Sequence, residues 1–261
     1  MTEQEFITKL PTIDQYYVIF CDFTKMPYVE CDVETYDDKI YIFLDKKRAD
    51  EFVESYKEDK MKLHIEIIKR DQIRNFLGVM VGDGVNMASF RGKEDFDIQL
   101  NKIVVRKLKE GAPQPLENPT LQISMIYFMQ AVRTAETEEE RQITRQFEEE
   151  MMVNIARAKL LLPTKVLDET DENGNKRAAI MQLKNENGEL YIPLFTDLNE
   201  FVKANREEGS FNFTGVDFNM IRSMKLPNMS GFIINPGTIG LLLTEQHMQA
   251  IENRFGSGEN A

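Results

Sequence analysis

Glu189-Leu-Tyr-Ile-Pro-Leu-Phe-Thr-Asp-Leu-Asn-Glu-Phe-Val202 is the stretch that decides the fold. Its apolar run, Leu190–Phe195, has the length of a short strand, and Thr196 offers a helix start directly after it. The same order stands earlier in the chain, as Lys39-Ile-Tyr-Ile-Phe-Leu-Asp-Lys-Lys-Arg-Ala-Asp-Glu-Phe-Val53. Tyr-Ile-x-Leu and Glu-Phe-Val recur in sequence with one residue gained between them, which predicts a duplicated domain around which the rest can be parsed.

Composition agrees with two ordinary domains. The chain has 261 residues, 42% of them apolar and 29% charged, as in a folded water-soluble protein. No apolar run reaches the roughly 18 residues needed to span a bilayer. The opening Met1–Ile7 is acidic where a signal peptide would be basic, so a cytoplasmic setting is expected. The net charge is −12, with no clustered Lys/Arg stripe to displace counterions, which argues against nucleic acid and anionic membranes as partners.

In the first copy, Tyr16–Asp22, Tyr28–Glu34 and Lys39–Leu44 read as a three-strand meander. If Thr24–Pro27 forms the turn, paired numbers sum to 52. Ile19 then faces Val33, Cys21 faces Cys31, Phe23 faces Val29, and Asp22 lies opposite Glu30. The two cysteines read as reduced core thiols, with a redox pair as the alternative. Asp45–Lys57 has helical spacing, Lys62–Ile68 alternates as a strand, a short helix runs through Met80, and Val85–Phe90 is a strand. Phe96–Leu108 is expected as a helix, although Phe96, Ile98 and Leu100 also suit a strand.

Gly111–Thr120 carries three prolines and reads as a stiff linker. Asn118-Pro119 opens a helix to about Arg133, and Thr137 with Glu140 forms a capping box for a second, to about Lys159. Ile143, Phe147, Met151, Ile155 and Ala158 should pack on Leu121, Met125, Phe128 and Met129. The second copy repeats the order: strands at Leu160–Leu167, Arg177–Leu183 and Leu190–Phe195, with Asn173-Gly174 and Asn187-Gly188 as hairpin turns. A helix at Thr196–Arg206, a strand at Ser210–Thr214, a helix at Val216–Lys225 and strands at Gly231–Asn235 and Ile239–Leu243 follow, before a closing helix capped by Thr244.

Residues 118–255 resemble the SseB family, the N-terminal domain of the enhanced serine sensitivity proteins. The carriers are Asn118-Pro119, Ala158-Lys-Leu-Leu-Leu-Pro163, Gly188-Glu-Leu-Tyr-Ile-Pro-Leu-Phe-Thr196 and Gly231-Phe-Ile-Ile-Asn-Pro-Gly237. The first copy resembles the domain more loosely, with Phe43 for Pro193 and Asn86-Met87 for Asn235-Pro236. The resemblance implies an α+β domain in a soluble bacterial protein and no established reaction. The expected architecture is therefore α+β: two related SseB-like domains, each a three-strand meander followed by helix-strand-helix-strand, with a helical hairpin between them. The boundaries expected are 1–110, a linker at 111–120, a second domain at 121–255 and a tail at 256–261.

No catalytic residue set emerges. Phosphate-loop, Gly-x-Ser-x-Gly and Cys-x-x-Cys patterns are missing, and His64 and His247 are the only histidines. Two groups stand as candidates. Phe195, Thr196, Asn235, Pro236 and Gly237 fall at strand ends where a peptide or small ligand could be received, or serve only as cap, turn and core. Asp22, Glu30 and Asp32 share an outward face in the expected register, where a divalent cation would relieve their repulsion, or form a solvated acidic face. Glu169–Gly174 has a calcium-loop flavour, but Ile180 stands where a bidentate Glu belongs. The expected function is a non-enzymatic protein-binding or scaffold role without cofactors, the partner being an unidentified protein, with a homo-oligomer left open. The alternative is a carboxylate-based metal-dependent enzyme or small-molecule sensor.

Overall fold

The computed structural model describes residues 1–58, 60–106, 114–170, 174, 176–205, 211–224 and 228–255. Gly111–Pro113 of the expected linker, Asn173 of one expected turn and the tail 256–261 lie outside them. The chain is α+β and divides into two compact units, one of residues 1–114 with 122–147, the other of 115–121 with 148–261. The helical hairpin, expected wholly with the second domain, is thus shared between the units.

The first unit opens with α1 (Glu3–Lys9), closed by a Thr2/Glu5 capping box that the sequence reading passed over. Its Phe6 is buried against Phe90 and Phe96, at 5.2 and 4.6 Å between ring centroids. Then come β1 (Gln15–Cys21), β2 (Met26–Pro27), β3 (Val29–Cys31), β4 (Asp38–Phe43), α2 (Lys46–Ser55), β5 (Leu63–Lys69), α3 (Ile73–Gly82), β6 (Met87–Arg91) and β7 (Phe96–Gln99). One sheet holds all seven strands. β5 runs antiparallel to the whole of β1, β4 lies parallel to β6, and β7 closes the far edge antiparallel to β6. Ile19, Cys21, Tyr28, Tyr41, Phe43 and Ala49 of α2 form one core cluster, with Phe52, Val53 and Tyr56 packed on it.

The expected meander is present, but its register is not the one predicted. Cys21 pairs with Met26 and Phe20 with Pro27, so the numbers sum to 47 and not 52. The turn is tighter than expected: Lys25 takes φ 52°, its N–H donates to the Cys21 carbonyl at 2.8 Å, and the Thr24 hydroxyl accepts from Met26 N–H at 3.2 Å. An odd shift exchanges the faces. Cys21 is therefore buried and Cys31 exposed, neither in a disulfide, and burial raises the Cys21 thiol pKa. Tyr28 N–H still donates to the Ile19 carbonyl of β1 at 2.9 Å, and from there β3 pairs with β4, Val29 opposite Ile40.

This switch leaves Val29 without a strand on its other side. Gln130, 6% exposed, takes that place: Val29 N–H donates to its Oε1 at 3.3 Å, and its Nε2 donates to the Val29 carbonyl at 2.8 Å. Gln130 belongs to α4 (Pro119–Thr134), followed by α5 (Glu138–Arg157), whose Thr137/Glu140 capping box forms as expected. Met151, Ile155, Leu121 and Met125 are buried as predicted, whereas Ile143 is 44% exposed. Phe96–Leu108 is not a helix: Phe96–Gln99 is β7, because Phe96 and Ile98 alternate inward opposite Phe90 and Ala88. Residues 107 and 108 lie outside the described set.

The second unit contains β8 (Leu160–Thr170), β9 (Lys176–Ile180), β10 (Leu183–Lys184), β11 (Leu190–Leu194), α6 (Leu198–Ala204), β12 (Phe211–Val216), α7 (Phe218–Ser223), β13 (Gly231–Ile234), β14 (Leu241–Leu243) and α8 (Glu245–Phe255). Its pairings repeat those of the first unit in order and sense. β12 is antiparallel to β8 as β5 is to β1, β11 is parallel to β13 as β4 is to β6, and β14 is antiparallel to β13 as β7 is to β6. Among the described residues a Leu161–Phe195 bridge alone joins β8 to the end of β11, so two sheets replace one. The match of Asn86-Met87 to Asn235-Pro236 does not hold, since Asn86 precedes β6 while Asn235 follows β13.

Replacing Gln130 with Ala strands both Val29 groups in a buried place. We expect Gln130→Ala to lower the unfolding free energy by about 1–3 kcal/mol in urea titration. A loss indistinguishable from zero would mean that water serves Val29 equally well.

Candidate functional site

The five residues expected at the strand ends of the second unit do come together, but inward. Thr196 and Asn235 are 0% exposed and Phe195 is 1% exposed. Asn235 follows β13 at φ 51°, a left-handed conformation that Asn tolerates better than most residues. Its Oδ1 accepts from Thr196 N–H at 3.0 Å, and its Nδ2 donates to Thr196 Oγ1 at 2.9 Å. Thr196 does not cap α6. Asp197 does, accepting from the N–H groups of Asn199 and Glu200 at 2.7 and 3.1 Å and from the Thr196 hydroxyl at 2.8 Å. Asn118 closes the other side, donating to the carbonyls of Lys159 and Thr196 at 2.9 and 2.7 Å.

Pro236 and Gly237 complete the turn. A Cβ on Gly237 would come within 2.9 Å of the Ala204 backbone, so glycine is needed there for the end of α6 to approach. Glu200, fully buried, accepts from the Thr238 hydroxyl and pairs with Lys203 at 2.5 Å. Sequence reading missed Asp197, Glu200 and Thr238. The signal was available in Asp197, a better cap than Thr at the third residue before Glu200. The arrangement fixes a turn, a cap and a strand end to one another.

The three candidate metal carboxylates are separated. Asp22 lies in the turn after β1, with its Oδ1 2.6 Å from His64 Nδ1. Glu30, in β3, accepts from the Tyr41 hydroxyl. Asp32 is not in a strand at all: its Oδ1 accepts from Glu34 and Thr35 N–H at 2.9 and 3.1 Å, and its Oδ2 from Lys39 at 3.0 Å. The expected opposition of Asp22 and Glu30 fell with the register. Among the described residues, no three His, Cys, Asp or Glu side chains are grouped to hold a metal ion.

The open feature is the edge of β5. Hydrogen bonds from Asp22 N–H to the Lys62 carbonyl and from Arg70 N–H to the Asp14 carbonyl fix the parity, so even-numbered residues face β1. The backbone of Leu63, Ile65, Ile67 and Lys69 therefore points outward. Lys69 is served locally by Gln72, side chain and backbone. Leu63, Ile65 and Ile67 have no backbone partner among the described residues. A shallow groove of about 440 Å³ lies on each side of this edge. One is lined by Tyr17, Val53, Leu63, Ile65 and Ile67 with His64 and the charged Lys46, Asp50 and Glu54 of α2, the other by Phe20, Asp22, Lys25, His64, Glu66 and Ile68.

Two expectations follow. Asn235→Ala should cost about 2–4 kcal/mol, combining an unpaired buried Thr196 N–H with left-handed strain. Asn235→Gly, free of the strain, should recover part of it in thermal melting, and equal losses would show that backbone strain contributes nothing. For Asp32, backbone donation from Thr35, then Lys39, then Glu34 lowers its pKa from 3.8 to about 2. A lowered folded pKa gives stability that is present above 3.8 and is lost as pH falls through about 2. Asp32→Asn should flatten the stability profile across that window, and an unchanged acid limb would contradict this.

No curated protein matches the chain. Among solved structures, Tic22 from Plasmodium falciparum is 11% identical, covering 97% of this chain and 99% of that one, with a TM-score of 0.21. Anabaena Tic22 (protein transport) is 10% identical, covering 100% of both chains, with a TM-score of 0.23. Likenesses at these scores carry no argument. Residues 131–250, inside the stretch whose motifs resembled SseB, match the family model of the SseB protein N-terminal domain. Over that stretch, somewhat under half of its length, the chain is similar to the SseB N-terminal domain.

Proposed function

We propose that this protein acts by binding protein chains and not by catalysis, and that it receives an extended segment at the edge of β5. The observation that carries this is the regular, seven-residue β5 with three outward-facing residues unpaired and a groove on either side. An added strand takes its affinity from main-chain hydrogen bonds and its specificity from alternate side chains entering the two grooves. Natural edge strands are commonly blunted by proline, bulges or shortness. β5 has none of these. The net charge of −12 supports a protein partner over nucleic acid. The carboxylates once considered for metal chemistry each have their own donor, which leaves the enzyme alternative without a converging set.

The same reading includes a cytosolic setting and two copies of one design, the latter supported by the recurrence of pairing order and sense between the units. No helix among the described residues is long and apolar enough to cross a membrane.

Ile67→Pro is the test. Ile67 is 50% exposed, and its N–H points away from β1, so proline there removes an outward donor and leaves the β1–β5 ladder whole. We expect the variant to melt like the parent and to lose the proteins that the parent retains in affinity capture. Unchanged capture would reject the edge as a site for foreign chains, and turnover of a metabolite by the purified chain would reject the non-catalytic reading.

A further inference from the structure

Resting on that reading, we infer that the occupant of the β5 edge is a second copy of this chain, paired antiparallel about a two-fold axis at Ile65. Isologous contact requires a strand that complements itself, and the outward backbone groups leave few registers to choose from. With Ile65 opposite the partner's Ile65, Leu63 stands opposite the partner's Ile67, and Ile67 opposite the partner's Leu63. All three open residues of each chain are then paired with one another, in the hydrogen-bonded positions of an antiparallel ladder.

The side chains agree with this register. On one face Leu63, Ile65 and Ile67 meet the same three residues of the partner, extending the apolar stripe of Tyr17 and Val53 and covering the half-exposed Ile67. On the other face His64 stands opposite the partner's Glu66. Within one chain both His64 ring nitrogens already face carboxylates, Nδ1 to Asp22 at 2.6 Å and Nε2 to Glu66 at 3.4 Å, so the partner's Glu66 takes the place of the chain's own Glu66 at Nε2.

Neighbouring registers are worse. An axis at Glu66 opposes two Glu66 side chains at the closer spacing and sets Leu63 against Lys69, whose N–H and carbonyl are already bonded to Gln72. An axis at His64 pairs Leu63 with Ile65 and leaves Ile67 facing Met61, outside the strand. An axis at Ile67 again spends Ile65 on Lys69.

The experiment combines solution mass with a cysteine scan of the full chain in a Cys31→Ser background, since Cys21 is buried and Cys31 exposed. Ultracentrifugation should give twice the mass of one chain, falling to a single mass in Ile67→Pro. Ile65→Cys should form a disulfide-linked dimer on oxidation, because facing Cα atoms in such a ladder lie about 5.5 Å apart. Ile67→Cys should not, because its symmetry mate lies about 13 Å along the strand. Mixed Leu63→Cys and Ile67→Cys chains should link to each other. A single-chain mass at every concentration, or linking by Ile67→Cys in preference to Ile65→Cys, overturns the inference. A monomer that still loses captured proteins on Ile67→Pro assigns the edge to a foreign strand, so self-pairing fails while the proposed function stands. Capture unaffected by Ile67→Pro, in a chain whose dimer that variant does abolish, removes the foreign partner and retains the self-pairing.

Discussion

A strand backbone has two edges, and each must find a partner or face water. The first unit is organised by how the run from Gln15 to Phe43 meets that demand. β1 gives one whole edge to β5 and divides the other between β4 and β2. The next strand stays beside β1 through Tyr28, whose N–H donates to the Ile19 carbonyl, and then pairs with β4. The vacancy at Val29 is closed by a side-chain amide, whose acceptor and donor lie close together like those of a strand residue. This gives the buried Gln130 of α4 its place.

The second unit meets the same demand with the same chemistry at a different place. Where β11 ends, Asn235 presents an amide to Thr196 and Asn118 presents another to its carbonyl. The chain thereby passes from β11 into α6 with the backbone of Thr196 served on both sides. Amides suit both positions because a neutral group carries donor and acceptor without the desolvation cost of burying a charge. Glu200 is buried nearby with Thr238 and Lys203 as its partners, as a charge in that place must be.

The α+β order and most of the helix positions were legible because periodicity and turn residues act locally. Asn235 and Thr196 were likewise legible as residues with a special place, because cap and turn chemistry is local too. Register was not. The turn after Cys21 depends on Lys25 adopting φ 52° and on the Thr24 hydroxyl bonding Met26, and no alternation pattern encodes either. One odd shift there carried Cys31 to the surface and Asp32 into a turn, and with them went the acidic face. The first helix was overlooked for a different reason. Its apolar content is essentially Phe6 and Ile7, too little for a periodicity test, although its capping box was on view. Phe96–Gln99 was ambiguous because three alternating apolar residues fit both periods, and its pairing with β6 decided the matter.

The parity that fixes which residues of β5 face outward also limits what could bind there. Residues facing β1 are fixed by the bonds at Lys62 and Arg70, and the last outward position, Lys69, is folded back onto Gln72. The open segment is therefore three residues of backbone, bounded by a local turn at one end. A long foreign strand would gain few hydrogen bonds beyond these, and its affinity would have to come from the grooves. A short symmetric pairing asks for nothing more than what β5 offers, and each chain supplies both the apolar row and the His64–Glu66 pair that complement it. Self-complementarity in sequence, taken with a backbone opening of matching length, is the argument that favours a second copy over an unrelated partner.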